Sequence, residues 1–236
     1  MDRNKTAIIT AGSRGIGRAV VMKFLSEGFQ VITCSRSEAK LEALHLEAGK
    51  PSHGQLQTVS ADLSSKQGVD GFLEFVNLNT ETIDLLVNNA GAFVPGRLSD
   101  EPDGVLEGMI DLNLYSAYRV TRGLLSQMIE RKKGHIFNMC SVASITPYVT
   151  GGSYCITKFA LLGFTKVLRE EMKEHGIRVT AVLPGATLSD SWEGVDLPED
   201  RFMPASDIAD TIFQVYSLSS RTVVEEILLR PQLGDI

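Results

Sequence analysis

Apolar positions along this chain follow two alternating patterns. Short apolar runs, most of them unbroken, occur at 6–10, 30–34, 56–60, 83–87, 135–139, 178–183 and 226–229. Between them, apolar residues recur every three to four positions at 15–27, 37–47, 64–78, 103–131, 153–175 and 206–219. Unbroken runs suit strands covered on both faces, and the longer period suits helices that bury one face. A β-α-β-α order of this kind predicts a parallel sheet with right-handed crossovers. The expected fold is therefore α/β, a Rossmann-type doubly wound architecture with a seven-stranded parallel sheet and helices on both faces. No repeat, low-complexity tract or linker interrupts the pattern, so one domain spanning 1–236 is expected. The one long irregular stretch is 184–204, and a loop of that length in a compact domain is usually functional.

Composition narrows the class of partner. Of the 236 residues 43% are hydrophobic, enough to bury one large core, while the net charge is −6. An acidic surface does not attract polyanions, which argues against nucleic acid and anionic membrane as partners. The start, Met1-Asp2-Arg3-Asn4-Lys5-Thr6, has no apolar leader and no run approaches bilayer length, so a cytoplasmic location is expected. Cys34, Cys140 and Cys155 are odd in number and contain no Cys-x-x-Cys pair, which suits reduced thiols. His45, His53, His135 and His175 show no metal-ligand spacing with one another or with the cysteines, and no metal is expected.

The first chemical signal is Thr10-Ala11-Gly12-Ser13-Arg14-Gly15-Ile16-Gly17, placed after the first strand and opening the first helix. Glycines there permit a tight turn and let backbone N–H groups approach a pyrophosphate at the positive helix end. The glycine spacing alone is a weak signal; strand before and helix after give it meaning. About twenty residues on, dinucleotide folds that bind NAD carry a carboxylate for the ribose 2′-hydroxyl. Here the second strand runs into Ser35 and Arg36 instead. No carboxylate repels a 2′-phosphate, Arg36 offers a planar donor fork, and Arg14 adds a second cation, so NADP(H) is the expected cofactor.

A second signal lies in the fifth helical segment. Tyr154 and Lys158 are spaced i, i+4 on one face, which continues through Leu161, Leu162, Thr165 and Leu168. Lys158 thus points along an apolar stripe. Ser141 follows the fifth strand, at the end of the sheet where open α/β proteins bind ligands. Asn113 falls inside the helical segment 103–131, in phase with Met109, Ile110 and Ala117. A polar amide on a buried helix face needs partners. Taken singly, each of these residues suits core packing or a structural hydrogen bond equally well.

Jointly, these motifs make the chain resemble the short-chain dehydrogenase/reductase family over nearly its whole length, nearest in look to 3-oxoacyl-carrier-protein reductases. The resemblance rests on the glycine loop, Asp62-Leu63, Asn88-Asn89-Ala90-Gly91, Asn113, Ser141, Tyr154-x-x-x-Lys158 and Pro184-Gly185, in that order. It implies a catalytic set of Asn113, Ser141, Tyr154 and Lys158. Tyr154 would donate a proton to a carbonyl oxygen, since a neighbouring ammonium stabilises a phenolate. Lys158 would also bind the nicotinamide ribose, Ser141 would hold the substrate oxygen, and Asn113 would hold a water leading from Lys158 to solvent. For the cofactor it implies Gly12, Ser13, Arg14, Gly15, Ile16, Gly17, Ser35 and Arg36 at the phosphates. Asp62 and Leu63 would meet the adenine, Asn89, Ala90 and Gly91 the adenosine ribose, and Pro184, Gly185 and Thr187 the nicotinamide side. Asn88 reads as a brace in the sheet end, and Asp62 also suits a helix cap. Two departures stand out: Ala11 occupies the family's first glycine position, and the threonine expected after Pro-Gly is either Thr187 or replaced by Ser189.

The expected reaction is reduction of a ketone or aldehyde to an alcohol, or the reverse, by hydride transfer. Alternatives are an epimerase or dehydratase on the same fold, or a non-catalytic NADP(H)-binding regulator. For the substrate, Phe93, Ala143 and Tyr148 are expected pocket residues. A lid at 187–204 would carry Asp190, Glu193, Asp196, Glu199 and Asp200 against Arg201, with Trp192 as an apolar wall, and so disfavours anionic substrates. Apolar residues on a second face of the two long helices, such as Ala160, Phe164 and Val167, predict a homodimer or homotetramer.

Overall fold

The computed structural model describes residues 5–49, 55–188 and 197–236. Its elements run β1 (Thr6–Ile9), α1 (Gly15–Ser26), β2 (Gln30–Ser35), α2 (Glu38–Ala48), β3 (Gln55–Ser60), α3 (Lys66–Asn79), β4 (Leu85–Asn88) and α4 (Val105–Ile110). A π-helical segment (Asp111–Tyr115) leads into α5 (Ser116–Arg131), followed by β5 (Gly134–Met139), α6 (Gly152–Met172), β6 (Ile177–Pro184), α7 (Ala205–Tyr216) and β7 (Glu226–Leu229). All seven strands form one sheet in the order β3-β2-β1-β4-β5-β6-β7, and every adjacent pair is parallel. The order reverses between β1 and β4. Their carboxyl ends therefore splay apart into the crevice where doubly wound folds bind ligands.

The unbroken apolar runs are explained by a core on each side of the sheet. In β1, Ala7 and Ile9 face one core with Val20, Phe24, Ile208 and Ile212, while Ile8 faces the other with Phe72, Val120, Leu124 and Met172. In β4, Leu85 and Val87 take the first side and Leu86 the second. Successive side chains of a strand alternate faces, so a strand covered twice must be apolar throughout. The edge strands β3 and β7 are partly exposed.

Element ends follow local chemistry. The Ser37 hydroxyl accepts the Lys40 N–H to start α2, and the Ser65 hydroxyl accepts the Gly68 N–H to start α3. Asp62 is therefore not the cap of α3; its Oδ1 accepts the N–H and hydroxyl of Ser64 in the preceding turn. The expected continuous helix over 103–131 is also corrected. The Ser116 N–H reaches back five residues to the Asp111 carbonyl, and the ladder widens into a π turn around Asn113. Both ends of the long 184–204 stretch are stitched together by Met203 N–H to Ala186 O and Leu188 N–H to Met203 O, at 3.0 and 2.9 Å. His53, Ser189, Asp190, Trp192, Glu193 and Asp196 lie outside the described residues.

Candidate active site

The glycine loop is a turn that only small residues fit. A Cβ on Gly12 would lie 2.2 Å from Thr33 Oγ1, and one on Gly17 would lie 2.4 Å from Ala11 O and from Asn89 Nδ2. Gly15 has φ +52° and so does Ala11 nearly, at +53°, which places an L residue in the left-handed region that the family's glycine would occupy without strain. Thr10 and Asn89 tie this loop to the end of β4. The Thr10 hydroxyl accepts the N–H groups of Asn89 and Ala90, and Asn89 Nδ2 donates to the carbonyls of Thr10 and Ala11. Arg14 at the N-cap supplies no side-chain cap to α1, and no acidic residue sits in its first turn, so nothing there neutralises the positive helix end.

Next to the loop, the Ser13 hydroxyl donates to Ser35 Oγ at 2.8 Å, and Ser35 Oγ accepts the Ser37 N–H. Arg36 is exposed beyond them. A cavity of about 280 Å³ opens here, lined by Ser13, Arg14, Gly15, Arg18, Lys40 and Glu47 among others. Sequence reading missed Lys40, because a lysine on a helix surface carries no motif; only the packing of α2 against the start of α1 brings it beside Arg14. Asp62 is held below the usual carboxylate range, first by the Ser64 hydroxyl hydrogen bond, with the Arg36 cation adding to it. Leu63 is buried in the core and keeps this turn in place.

Three of the four expected catalytic side chains converge at the carboxyl ends of β4 and β5. Lys158 is buried, donates from Nζ to the Met139 carbonyl at 2.8 Å, and sits 5.7 Å from the centre of the Tyr154 ring. A Cβ on Gly91 would lie 3.3 Å from Asn113 Oδ1 and 3.6 Å from Lys158 Nζ, so the backbone passes close by both. Asn113 is fully buried, with both ends of its amide hydrogen-bonded. Oδ1 accepts the Ala92 N–H at 2.7 Å, and Nδ2 donates to Ala92 O and to Thr157 Oγ1, both at 2.9 Å. Thr157 in turn donates to the Tyr154 carbonyl at 2.8 Å. Thr157 was not singled out in the sequence, where it reads as one more residue on the helix. The Asn113 amide is thus clasped to the backbone of Ala92 and to Thr157, inside the π turn.

Ser141 caps a short turn after β5, with Oγ accepting the Ala143 N–H at 3.1 Å. Ala143, expected on the pocket wall, is part of this turn and fully buried. Phe93 does reach the site, packing edge-to-face on Tyr154 with centroids 4.9 Å apart. Tyr148 lines an apolar groove of about 630 Å³ with Leu98, Pro147, Val149, Ile156 and Phe159; burial pushes its phenol well above the usual range. Thr187 is buried and donates its hydroxyl to Gly185 O, following directly from Pro184. Asn88 is the expected brace, donating from Nδ2 to Thr121 Oγ1 and Asn138 Oδ1. Among the described residues no group of three or more His, Cys, Asp or Glu is arranged to hold a metal ion, and no helix is long and apolar enough to cross a membrane.

Similarity to known proteins covers the same architecture. The family model for short chain dehydrogenases matches residues 5–199. A sepiapterin reductase from Chlorobaculum tepidum is 34% identical, with 97% of each chain aligned. A metagenomic short-chain oxidoreductase in complex with NADP superposes with a TM-score of 0.84 at 30% identity, covering 98% of both chains. An alcohol dehydrogenase from the archaeon Thermococcus sibiricus, complexed with 5-hydroxy-NADP, gives a TM-score of 0.90 at 25% identity and covers 99% of both.

Proposed function

Since the chain belongs to the short-chain dehydrogenase family, we propose that this oxidoreductase uses NADP(H) to interconvert a ketone or aldehyde and the corresponding alcohol, within one domain. The observation that carries this reading is the convergence of Tyr154, Lys158 and Asn113 beside Gly91, at the sheet end that also holds the glycine loop. The loop fits a dinucleotide: its glycines leave no room for a side chain, and the start of α1 lies open to a pyrophosphate. Gly12, Ser13, Gly15, Ile16 and Gly17 would hold the phosphates. Arg14 and Arg36, joined by Lys40, would take the 2′-phosphate, with Ser35 fixing the approach of the loop. Asp62, Leu63, Asn89, Ala90 and Gly91 would line the adenosine side, and Pro184, Gly185 and Thr187 the nicotinamide side.

When bound, the nicotinamide supplies or accepts the hydride. The chain's own residues handle the proton and the developing charge. Tyr154 donates the proton to the substrate oxygen, and Lys158 Nζ stands 5.7 Å from the centre of its ring. Ser141 hydrogen-bonds the same oxygen as negative charge grows on it. Asn113, through Thr157, fixes the first turns of α6 on which Tyr154 stands. Phe93 and Tyr148 give the substrate side an apolar, aromatic character. Two copies would pair through the exposed faces of α5 and α6. The deciding experiment is NADPH oxidation against a panel of uncharged aromatic and aliphatic carbonyls, with NADH alongside. Turnover with NADPH and a lower kcat/KM with NADH are expected. Binding of NADPH without turnover of any carbonyl would favour a regulator instead, and equal use of both cofactors would remove the 2′-phosphate role of the two arginines.

A further inference from the structure

The helix that carries Tyr154 begins poorly by its own sequence. Its N-cap is Gly151, which offers no side-chain cap, its first residue is Gly152, and no acidic residue lies in its first turn. Glycine is among the weakest helix formers, and an uncapped start leaves N–H groups without partners, so a first turn of this composition frays. The catalytic phenol stands only two residues into it.

The missing carboxylate comes from elsewhere in the chain. Glu101 Oε1 accepts the Ser153 N–H at 3.0 Å, and its Oε2 accepts the Ser153 hydroxyl. The seat for this side chain is built. A Cβ on Gly96 would lie 2.6 Å from Glu101 Cγ, and one on Gly152 would lie 2.2 Å from Glu101 Oε1. Both glycines therefore leave the space that Glu101 fills. The loop bearing Glu101 is held to the loop before α6 by Gly96 N–H to Thr150 O at 3.0 Å, in a parallel bridge between Gly96 and Gly151. The Glu101 N–H closes its own turn on the Arg97 carbonyl at 2.9 Å.

We propose that Glu101 is a positioning residue for the reaction: its carboxylate caps α6 from outside the helix and holds Tyr154 in register with Ser141 and the nicotinamide side. Negative charge at a helix N-terminus is stabilising, and here it is delivered one residue before the phenol. The inference rests on Tyr154 being the proton donor. Loss of the cap lets the first turn fray and misplaces the hydroxyl without touching the glycine loop, so catalysis falls while cofactor binding stands. A misplacement of about 1 Å at a reacting group costs up to on the order of a hundredfold.

The test compares Glu101→Ala, Glu101→Gln and, as a control, Asp100→Asn at the exposed carboxylate next door. Amide hydrogen exchange over 152–155 reads the cap without any catalysis. Steady-state kinetics with NADPH and a carbonyl substrate read its use. Glu101→Ala is expected to lose protection at 152–155 and to lower kcat by about tenfold to a hundredfold, with the NADPH Kd unchanged. Glu101→Gln keeps an oxygen acceptor for the Ser153 N–H and an N–H donor for its hydroxyl oxygen, so it should restore most of the turnover. Asp100→Asn should match the wild type. Unchanged exchange at 152–155 in Glu101→Ala would overturn the cap, and unchanged kcat with lost protection would overturn the positioning role. Joint loss of NADPH binding, global stability and turnover, with no rescue by Gln, would reduce Glu101 to a structural residue and overturn the proposal as well. If the wild type reduces no carbonyl at all, the proposed reaction fails, while the exchange result still decides the cap.

Discussion

At the scale of single residues, two side chains carry the sharpest consequences. Tyr154→Phe keeps the ring, and with it the edge contact to Phe93 and the packing of α6, but removes the proposed proton donor. Turnover should fall on the order of 10²–10⁴-fold, while NADPH titrated by fluorescence binds as before, because the glycine loop and Lys158 are untouched. Near-normal turnover would mean that the proton comes from another group. Ala11 is the other case. Holding an L residue at φ +53° costs about 1–2 kcal/mol, and a glycine there gives back roughly 0.4–1 kcal/mol through the freer unfolded chain. Ala11→Gly should therefore stabilise by about 0.5–1 kcal/mol in urea unfolding. A destabilised variant would show that Ala11, packed against the core beneath the sheet, contributes more by contact than it loses by strain.

At the scale of elements, hydrogen bonds between neighbours set protonation as well as geometry. His135 on β5 is fully buried, and its Nε2 lies 2.8 Å from Thr180 Oγ1 on β6. The Thr180 hydroxyl hydrogen is already given to the Val224 carbonyl at 2.6 Å, so Nε2 carries the imidazole proton and Nδ1 is left bare and buried without a partner. Burial, reinforced by the Arg178 cation, holds this ring neutral to well below the usual histidine range. In the unfolded chain it takes up a proton below about pH 6.5. The unfolded state then binds more protons than the folded one, so stability falls as pH falls beneath that value, by about 1.4 kcal/mol per unit for this group. Urea unfolding between about pH 6.5 and about pH 5 should show this slope, and His135→Leu should flatten it. An unchanged slope in the variant would assign the acid sensitivity to other groups. The π turn around Asn113 belongs to this scale too: one residue more per turn is what lets a helical amide clasp the backbone of Ala92.

At the scale of the whole molecule, the outward face of the two long helices remains apolar. Tyr118 on α5 is 40% exposed, and Ile156, Phe159 and Val167 on α6 are 42%, 46% and 58% exposed. Phe164, by contrast, turns inward to meet Tyr118 edge-to-face and packs on the core. Exposed apolar side chains on two neighbouring helices suit a contact with another surface, and a second copy using the same face would close as a symmetric pair. Light scattering at micromolar concentration should give a dimer or tetramer, with Phe159→Glu and Val167→Glu shifting it toward monomer. A wild type that is monomeric throughout that range would refute the pairing.

The periodicity of the chain was enough to determine the seven strands, their parallel order of connection and the double covering of the sheet, because both faces of a buried strand must be apolar and a helix must bury a stripe. The glycine loop, Ser141, Tyr154 and Lys158 were legible as candidates, through the family resemblance, because their placing is local: a strand end, a helix start, one helical turn. What the sequence did not determine depends on segments that meet only in three dimensions. The π turn at Asn113 goes together with a hydrogen-bonding partner at Ala92, Lys40 joins Arg14 only through the packing of α2 on the start of α1, and Thr157 matters only because Asn113 reaches it. Ala143 disappeared into the Ser141 turn for the same reason. Glu101 is the clearest instance: 52 residues before Ser153 in the chain, it carries no signal in the sequence, and only the closing of two loops over a pair of glycines turns it into the cap of the helix that bears Tyr154.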